Sequence, residues 1–272
     1  MLSITIIYIF LIGLCIGSFL NVIRFRYPKS ISIITPASFC PNCNSKIPFY
    51  LNIPILSWIY LRGKCNFCKS KISSSYPFIE LLTASLFILN VFSNLTFSSK
   101  YSLNLLSMCI FTFLLILISL IDFDNMIIPN RVLFFGSIIG ILTNLVSNYF
   151  FGNQGILFIF NEYILFSFIS LISLEIINLI FYFFLKKDAF GFGDSKYLFM
   201  ICTWIGFKGV LSSFFLSIYI GGILTLVFLI LRKIRYSGKI PFGPFLSIGA
   251  YTSCFFGPDN MVYFFKNFFS LT

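Results

Sequence analysis

Residues 105–122 read LLSMCIFTFLLILISLID, an uncharged apolar run from Leu105 to Ile121 closed by an aspartate. A helix rises 1.5 Å per residue, so this run approaches the roughly 30 Å hydrocarbon core of a bilayer. Its reading decides the fold: a helix that crosses a membrane. Asp122 at its end is expensive there, and an ionisable residue in that position begins as a functional hypothesis. A second aspartate has the same standing. Asp194 closes Gly191-Phe192-Gly193-Asp194, immediately before another apolar run.

The rest of the chain fits this reading. Hydrophobic residues make up 58% of the 272, charged residues 10%, and the mean hydropathy is +0.98. A soluble domain carries about 25% charged residues. Apolar runs occur at 3–23, 77–93, 102–121, 132–150, 161–185, 197–211, 209–231 and 241–256. The sixth and seventh overlap, and Trp204, Gly206 and Lys208 interrupt the sixth. The expected fold is an all-α polytopic membrane protein of about eight transmembrane helices. The first run lacks a basic segment ahead of it; Arg24, Arg26 and Lys29 follow it instead, so it reads as a retained span.

Charge placement orients the map. With the N-terminus outside, segments 24–76, 122–131, 186–196 and 232–240 face the cytoplasm and hold 16 of the 19 Lys/Arg; only Lys100, Lys208 and Lys266 fall elsewhere. This positive-inside bias puts Asp122 and Asp194 at the cytoplasmic face of a cell membrane. The net charge of +11 then reflects topology and attraction to anionic headgroups. No sizeable soluble domain exists to hold nucleic acid. With no histidine in the chain, Ser-His-Asp triads, Cys-His dyads and HExxH metal sites are excluded. Acid/base chemistry falls chiefly to carboxylates.

Residues 24–76 form the one sizeable polar segment. Cys40-Pro41-Asn42-Cys43 and Cys65-Asn66-Phe67-Cys68 are two CxxC knuckles at zinc-ribbon spacing. Four thiolates close a tetrahedral structural zinc site with no open position. The alternative, two redox pairs, is the weaker reading in this setting. Cys15, Cys109, Cys202 and Cys254 lie singly in apolar runs and read as packing residues.

Taken together, several motifs resemble the bacterial type IV prepilin leader peptidase/N-methyltransferases, a family of GxGD membrane aspartic proteases. They are Gly17-Ser18-Phe19-Leu20-Asn21-Val22 with Arg26-Tyr27-Pro28, the four-cysteine segment with Ile53-Pro54-Ile55-Leu56-Ser57 and Leu61-Arg62-Gly63-Lys64, and Tyr76-Pro77-Phe78-Ile79-Glu80. Further on come Asp122-Phe123-Asp124 with Ile128-Pro129-Asn130, Gly191 to Asp194 with Lys196, and Ile240-Pro241-Phe242-Gly243-Pro244. The resemblance implies three parts: a first helix (1–23), a cytoplasmic four-cysteine module (24–76) and a transmembrane peptidase domain (77–272). It implies Asp122 and Asp194 as the catalytic pair, because six residues, 123–128, separate Asp122 from Pro129 as in the family pattern. Asp124 is the rival for the first position and otherwise a supporting or substrate-binding residue.

Glu80 is either a helix-start acid or a site residue. Lys196 tunes the pair or reaches to headgroups, and Gly191 and Gly193 permit close backbone approach. Glu175, deep in the fifth run, stays undecided, whereas Glu162, Asp188 and Asp259 read as solvated ends. The implied substrates are prepilins and pseudopilins with short basic leaders, for which Asp122, Asp124, Glu80 and Asp188 would form an acidic patch. N-methylation from S-adenosylmethionine is implied as well, with the Arg62-Gly63-Lys64 turn as its expected place. Rival classes are a GxGD protease without methyltransferase activity, a cation-coupled transporter using Asp122 and Asp194, and a zinc-ribbon scaffold.

Overall fold

The computed structural model describes residues 2–96, 105–151, 155–186, 190–231 and 240–270. Asp188, Lys100 and most of the basic segment 232–240 lie outside them. Six of the described helices are long and apolar enough to cross a membrane. The chain divides into two compact units, Met1–Phe92 and Ser93–Thr272.

The first unit is built on α1 (Leu2–Arg26) and the greater part of α3 (Ser75–Thr96). Both are apolar around much of their circumference, so small residues decide how they meet. A Cβ on Gly13 would stand 2.6 Å from the Cα of Ala84, and one on Gly17 would stand 2.6 Å from the Cα of Glu80. The pairing runs forward on α1 and backward on α3, so the helices are antiparallel. Gly13 and Gly17 form the small-xxx-small seam by which membrane helices approach closely. Between these helices lies the four-cysteine module, which carries the short helix α2 (Leu56–Tyr60).

The second unit contains α4 (Leu105–Asn125), α5 (Asn130–Phe151), α6 (Ile156–Ile159), α7 (Phe166–Leu185), α8 (Phe192–Ile230), α9 (Gly243–Phe256) and α10 (Pro258–Ser270). Its core joins α4, α8 and α9 through Phe111, Leu115, Ile118, Tyr197, Ile201, Trp204 and Leu246, each under 2% exposed. Phe111 and Trp204 stack at 5.0 Å between ring centroids.

The expected boundary between the sixth and seventh runs is replaced by one helical stretch with an internal break. Thirty-nine residues would extend about 58 Å as a straight helix, nearly twice the hydrocarbon thickness. Gly206 interrupts it at φ 70°, ψ −177°, a conformation that favours glycine. Backbone groups released by the break find partners, as membrane depth requires. The Phe207 N–H donates to Glu162 Oε1 at 3.1 Å. Asn144 Nδ2 donates to the carbonyls of Thr203 and Trp204 at 2.9 and 3.2 Å. Glu162, expected as a solvated end, instead stands on a π-helical turn, Phe160–Leu165, and caps the second half of α8. Asp259 is exposed as expected and pairs with Lys208 at 2.6 Å. The helix α10, which follows Gly257, was not among the expected runs.

Candidate functional site

α4 ends just after Asp122. Met126 takes a left-handed conformation (φ 55°), its N–H donates to the Asp122 carbonyl at 2.8 Å, and Pro129 sets the start of the next helix. Asp122 therefore lies in the last turn of α4. Asp194 lies in the first turn of α8, whose N-cap is Gly191.

The two carboxylates are held alike. Asp122 Oδ2 accepts the Gly243 N–H at 2.9 Å, and Asp194 Oδ2 accepts the Gly191 N–H at 2.9 Å. Both are buried, at 5% and 8% exposure, and the charge of Asp122 acts on Asp194. The charges of both reach Tyr197, fully buried one turn along α8, whose hydroxyl pairs with Ser247 Oγ at 2.7 Å. Ser247 in turn donates to the Leu115 and Gly243 carbonyls at 3.2 and 2.8 Å. The last turn of α4, the first of α8 and the start of α9 thus converge on one point.

The other residues singled out from the sequence sort around this point. A Cβ on Gly193 would press on the Ile128 side chain at 3.1 Å. Lys196 Nζ donates to Asn130 Oδ1 at 3.1 Å and lies 4.4 Å from the Phe192 ring centroid. These contacts tie the Ile128-Pro129-Asn130 segment to the Gly191–Lys196 segment. Asp124 is exposed, unlike Asp122. Glu175 receives the Ser195 hydroxyl in a short hydrogen bond, beside Asp194 in the chain. Gly243, Tyr197 and Ser247 complete the site and were not proposed from sequence as site residues. The only signal for them was the Pro-Phe-Gly-Pro stretch around Gly243.

In the first unit the four cysteine sulfurs lie within 4.8 Å of one another and could hold a metal ion. The Cys40 and Cys68 sulfurs are 3.8 Å apart, about the edge of a tetrahedron whose Zn–S bonds are about 2.3 Å. The two knuckles repeat one pattern. Cys40 N–H donates to the Ser45 carbonyl, Cys65 N–H to that of Ser70, and the fourth residue after each first cysteine, Asn44 or Lys69, has φ near 56° (55° and 57°). Hydrogen bonds from the Ser70 hydroxyl and backbone N–H pull the Cys68 thiol down to about 6, which favours the ligating thiolate.

Beside this cluster is a cavity of about 400 Å³, lined by α1, the module and the start of α3, with Asn21, Phe39, Trp58, Cys65, Tyr76 and Glu80 among its walls. Arg62, Gly63 and Lys64 do not line it. Gly63 (φ 65°) instead lets the turn close on the Trp58 indole, to which an added Cβ would come within 2.9 Å, and Trp58 Nε1 donates to the Ile72 carbonyl at 3.3 Å.

Residues 11–94 match the bacterial peptidase A24 N-terminal domain, and residues 109–226 match the type IV leader peptidase family. The chain is 30% identical over 284 residues to a prepilin leader peptidase/N-methyltransferase of Aeromonas salmonicida, covering 92% of this chain and 90% of that protein. A protein of the same description from Aeromonas hydrophila is 29% identical over 287 residues, 96% and 93% of the two chains. One from Pseudomonas aeruginosa is 29% identical over 271 residues, 91% and 89%. No solved structure matches. With the converging helix ends and the cysteine cluster in place, these similarities carry the conclusion that the chain belongs to the type IV leader peptidase family of membrane proteins.

Proposed function

We propose that this chain is a membrane aspartic endopeptidase that removes the leaders of type IV prepilins or pseudopilins and then methylates the new N-terminus. The observation that carries the peptidase is the buried pair Asp122 and Asp194, each held by a glycine N–H on converging helix ends. In this reading the two carboxylates share one proton, since like charges brought into one site cannot both ionise. The ionised member takes a proton from water as the water attacks the scissile carbonyl. The protonated member polarises that carbonyl and then protonates the leaving amine. Titration belongs to the pair, and neither role is assigned to one residue. The Gly243 and Gly191 N–H groups fix one oxygen of each carboxylate, leaving the other for water and substrate. Tyr197 and Ser247 hold the floor beneath them, while Lys196 and Asn130 tie the two motif segments together.

Asp124, exposed two residues after Asp122, meets the basic leader in this reading. Positive-inside charge placement orients the first helix outside-in and sets the pair at the cytoplasmic face, where such leaders reside. The four cysteines take a structural zinc ion, since thiolates at this spacing suit a closed tetrahedral site. The adjacent cavity, within the roughly 300–1,000 Å³ range of small-molecule sites and lined by aromatic rings, fits S-adenosylmethionine, which when bound supplies an electrophilic methyl group. Gly63 holds Trp58 in its wall.

Incubation of the purified protein with a prepilin tests the peptidase. Leader removal is expected in the wild type and absent from Asp122→Ala and Asp194→Ala. Methyl transfer onto pre-cleaved pilin should persist in both variants.

A further inference from the structure

Three motifs that the peptidase does not use meet at one carboxylate. From the first, Gly17 brings α1 against the Cα of Glu80, Ser18 lines the same cavity as Glu80, and Asn21 Nδ2 donates to the carbonyls of Gly17 and Tyr76 at 3.3 and 3.2 Å. The second motif is Ile53 to Ser57. Its Leu56 N–H donates to the Pro54 carbonyl at 2.5 Å, and Ile55 between them has φ 60°, ψ −52°. This is a γ-turn of the rare positive-φ kind, on a β-branched residue that ordinarily avoids it. The turn directs the Ile55 N–H to Glu80 Oε2 at 2.7 Å. The third motif, Tyr76 to Glu80, supplies the carboxylate itself.

Glu80 is 6% exposed and forms part of the cavity wall. Its identified hydrogen-bond partner, the Ile55 N–H, is neutral, and an ionised carboxylate accepts about four hydrogen bonds. Asn21 lines the same cavity, and its Oδ1 is buried without a hydrogen-bond partner. The two carbonyls bound by Nδ2 fix which way that amide faces. Two cationic side chains stand among the cavity's walls, Arg26 and Lys71. No ion pair joins Lys71 to Glu80 among the described residues, and Arg26 is already committed. Arg26 donates to the carbonyls of Ser32, Ile33 and Ala37 at 3.0, 3.2 and 3.2 Å and sits 5.7 Å from the Phe39 ring centroid. The cavity therefore offers spare acceptors and aromatic faces.

We infer that Glu80, backed by Asn21, seats a primary ammonium group in this cavity. The inference rests on reading the cavity as the methyl-transfer site. Two ligands carry that group there: the amino-acid head of the methyl donor and the free α-amine of the polypeptide acceptor. The strained turn at Ile55 and the close packing at Gly17 hold the carboxylate in place for it. Backbone strain of this kind is retained where the surroundings over-determine a working geometry.

The test measures binding to the full-length, zinc-loaded protein in lipid nanodiscs. S-adenosylhomocysteine is compared with 5′-methylthioadenosine, which lacks the amino-acid head. A short apolar peptide with a free α-amine is compared with its N-acetylated twin. In the wild type at least one amine-bearing probe should bind about 10-fold tighter or more than its partner, the scale of a charge-assisted hydrogen bond. Glu80→Gln should remove that advantage and leave the amine-free partner's affinity unchanged, with zinc content and thermal midpoint as fold controls. Loss on the nucleoside arm identifies the donor's head, and loss on the peptide arm identifies the acceptor. Equal wild-type affinity within both pairs would overturn the inference without any variant. So would a folded Glu80→Gln with undiminished preference, and the cavity reading would survive because the donor analogue still binds. If the wild type binds no probe, the cavity reading falls and the inference falls with it.

Discussion

Asp122 and Gly243 are packed so closely that a Cβ on the glycine would stand 2.6 Å from the carboxylate oxygen that the glycine N–H already holds. Glycine is required there by the approach of backbone to carboxylate, with no left-handed conformation involved. Gly243→Ala should push Asp122 out of register with Asp194. A displacement of about 1 Å can cost on the order of 100-fold in rate. We expect kcat for leader cleavage to fall by about that factor, measured with a purified prepilin, while the thermal midpoint moves little.

Asp124→Asn should act on substrate capture. The residue is exposed beside the buried Asp122, and the chain carries a net charge of +11, so a basic leader gains little from long-range attraction. Steady-state kinetics should show KM rising more than kcat falls. An unchanged KM would remove Asp124 from the binding surface.

The break in α8 should be sensitive to side-chain volume. Alanine at Gly206 would have to adopt φ 70°, and its Cβ would stand 3.0 Å from Glu162 Oε1. Gly206→Ala is expected to destabilise by about 1–3 kcal/mol. Glu162→Ala, which leaves the Phe207 N–H unpaired, should cost about 1–3 kcal/mol. Thermal unfolding in detergent reads both.

Metal retention in the four-cysteine module should depend on pH. The Cys68 thiol lies near 6, below its ordinary value of 9.0, so its thiolate contribution is complete above about 9 and fades as pH falls through about 6. Ligating cysteines must be deprotonated, so acid expels the ion. Zinc content by elemental analysis should be stable at pH 7 and fall at or below about pH 6. Chelation at pH 7 should expose residues 24–76 to proteolysis and stop methyl transfer.

Much of this was legible in the sequence because membrane physics is legible. Apolar runs and basic loops give helices, and a carboxylate at the end of a run stands out against them. The CxxC spacing located the sulfur cluster in the same way. The choice of Asp122 over Asp124 rests on the family's spacing to Pro129; the structure buries the first and exposes the second. What stayed hidden depends on tertiary approach. Gly243 reaches Asp122 and Ser247 reaches the Leu115 carbonyl, each across more than a hundred residues, and Tyr197 reads as one more apolar-run aromatic. Glu162 looked like a solvated end because nothing local reveals that a helix breaks at Gly206, forty-four residues later. Glu175 is fixed by the Ser195 hydroxyl, a partner twenty residues away on the next helix.

Cleavage of a purified prepilin by wild type, Asp122→Ala and Asp194→Ala protein, read by loss of the leader on a gel and by mass, tests the central claim most directly. The account predicts complete cleavage by the wild type and none by either variant, with methyl transfer to pre-cleaved pilin intact in both. Leader removal by either folded variant would contradict it.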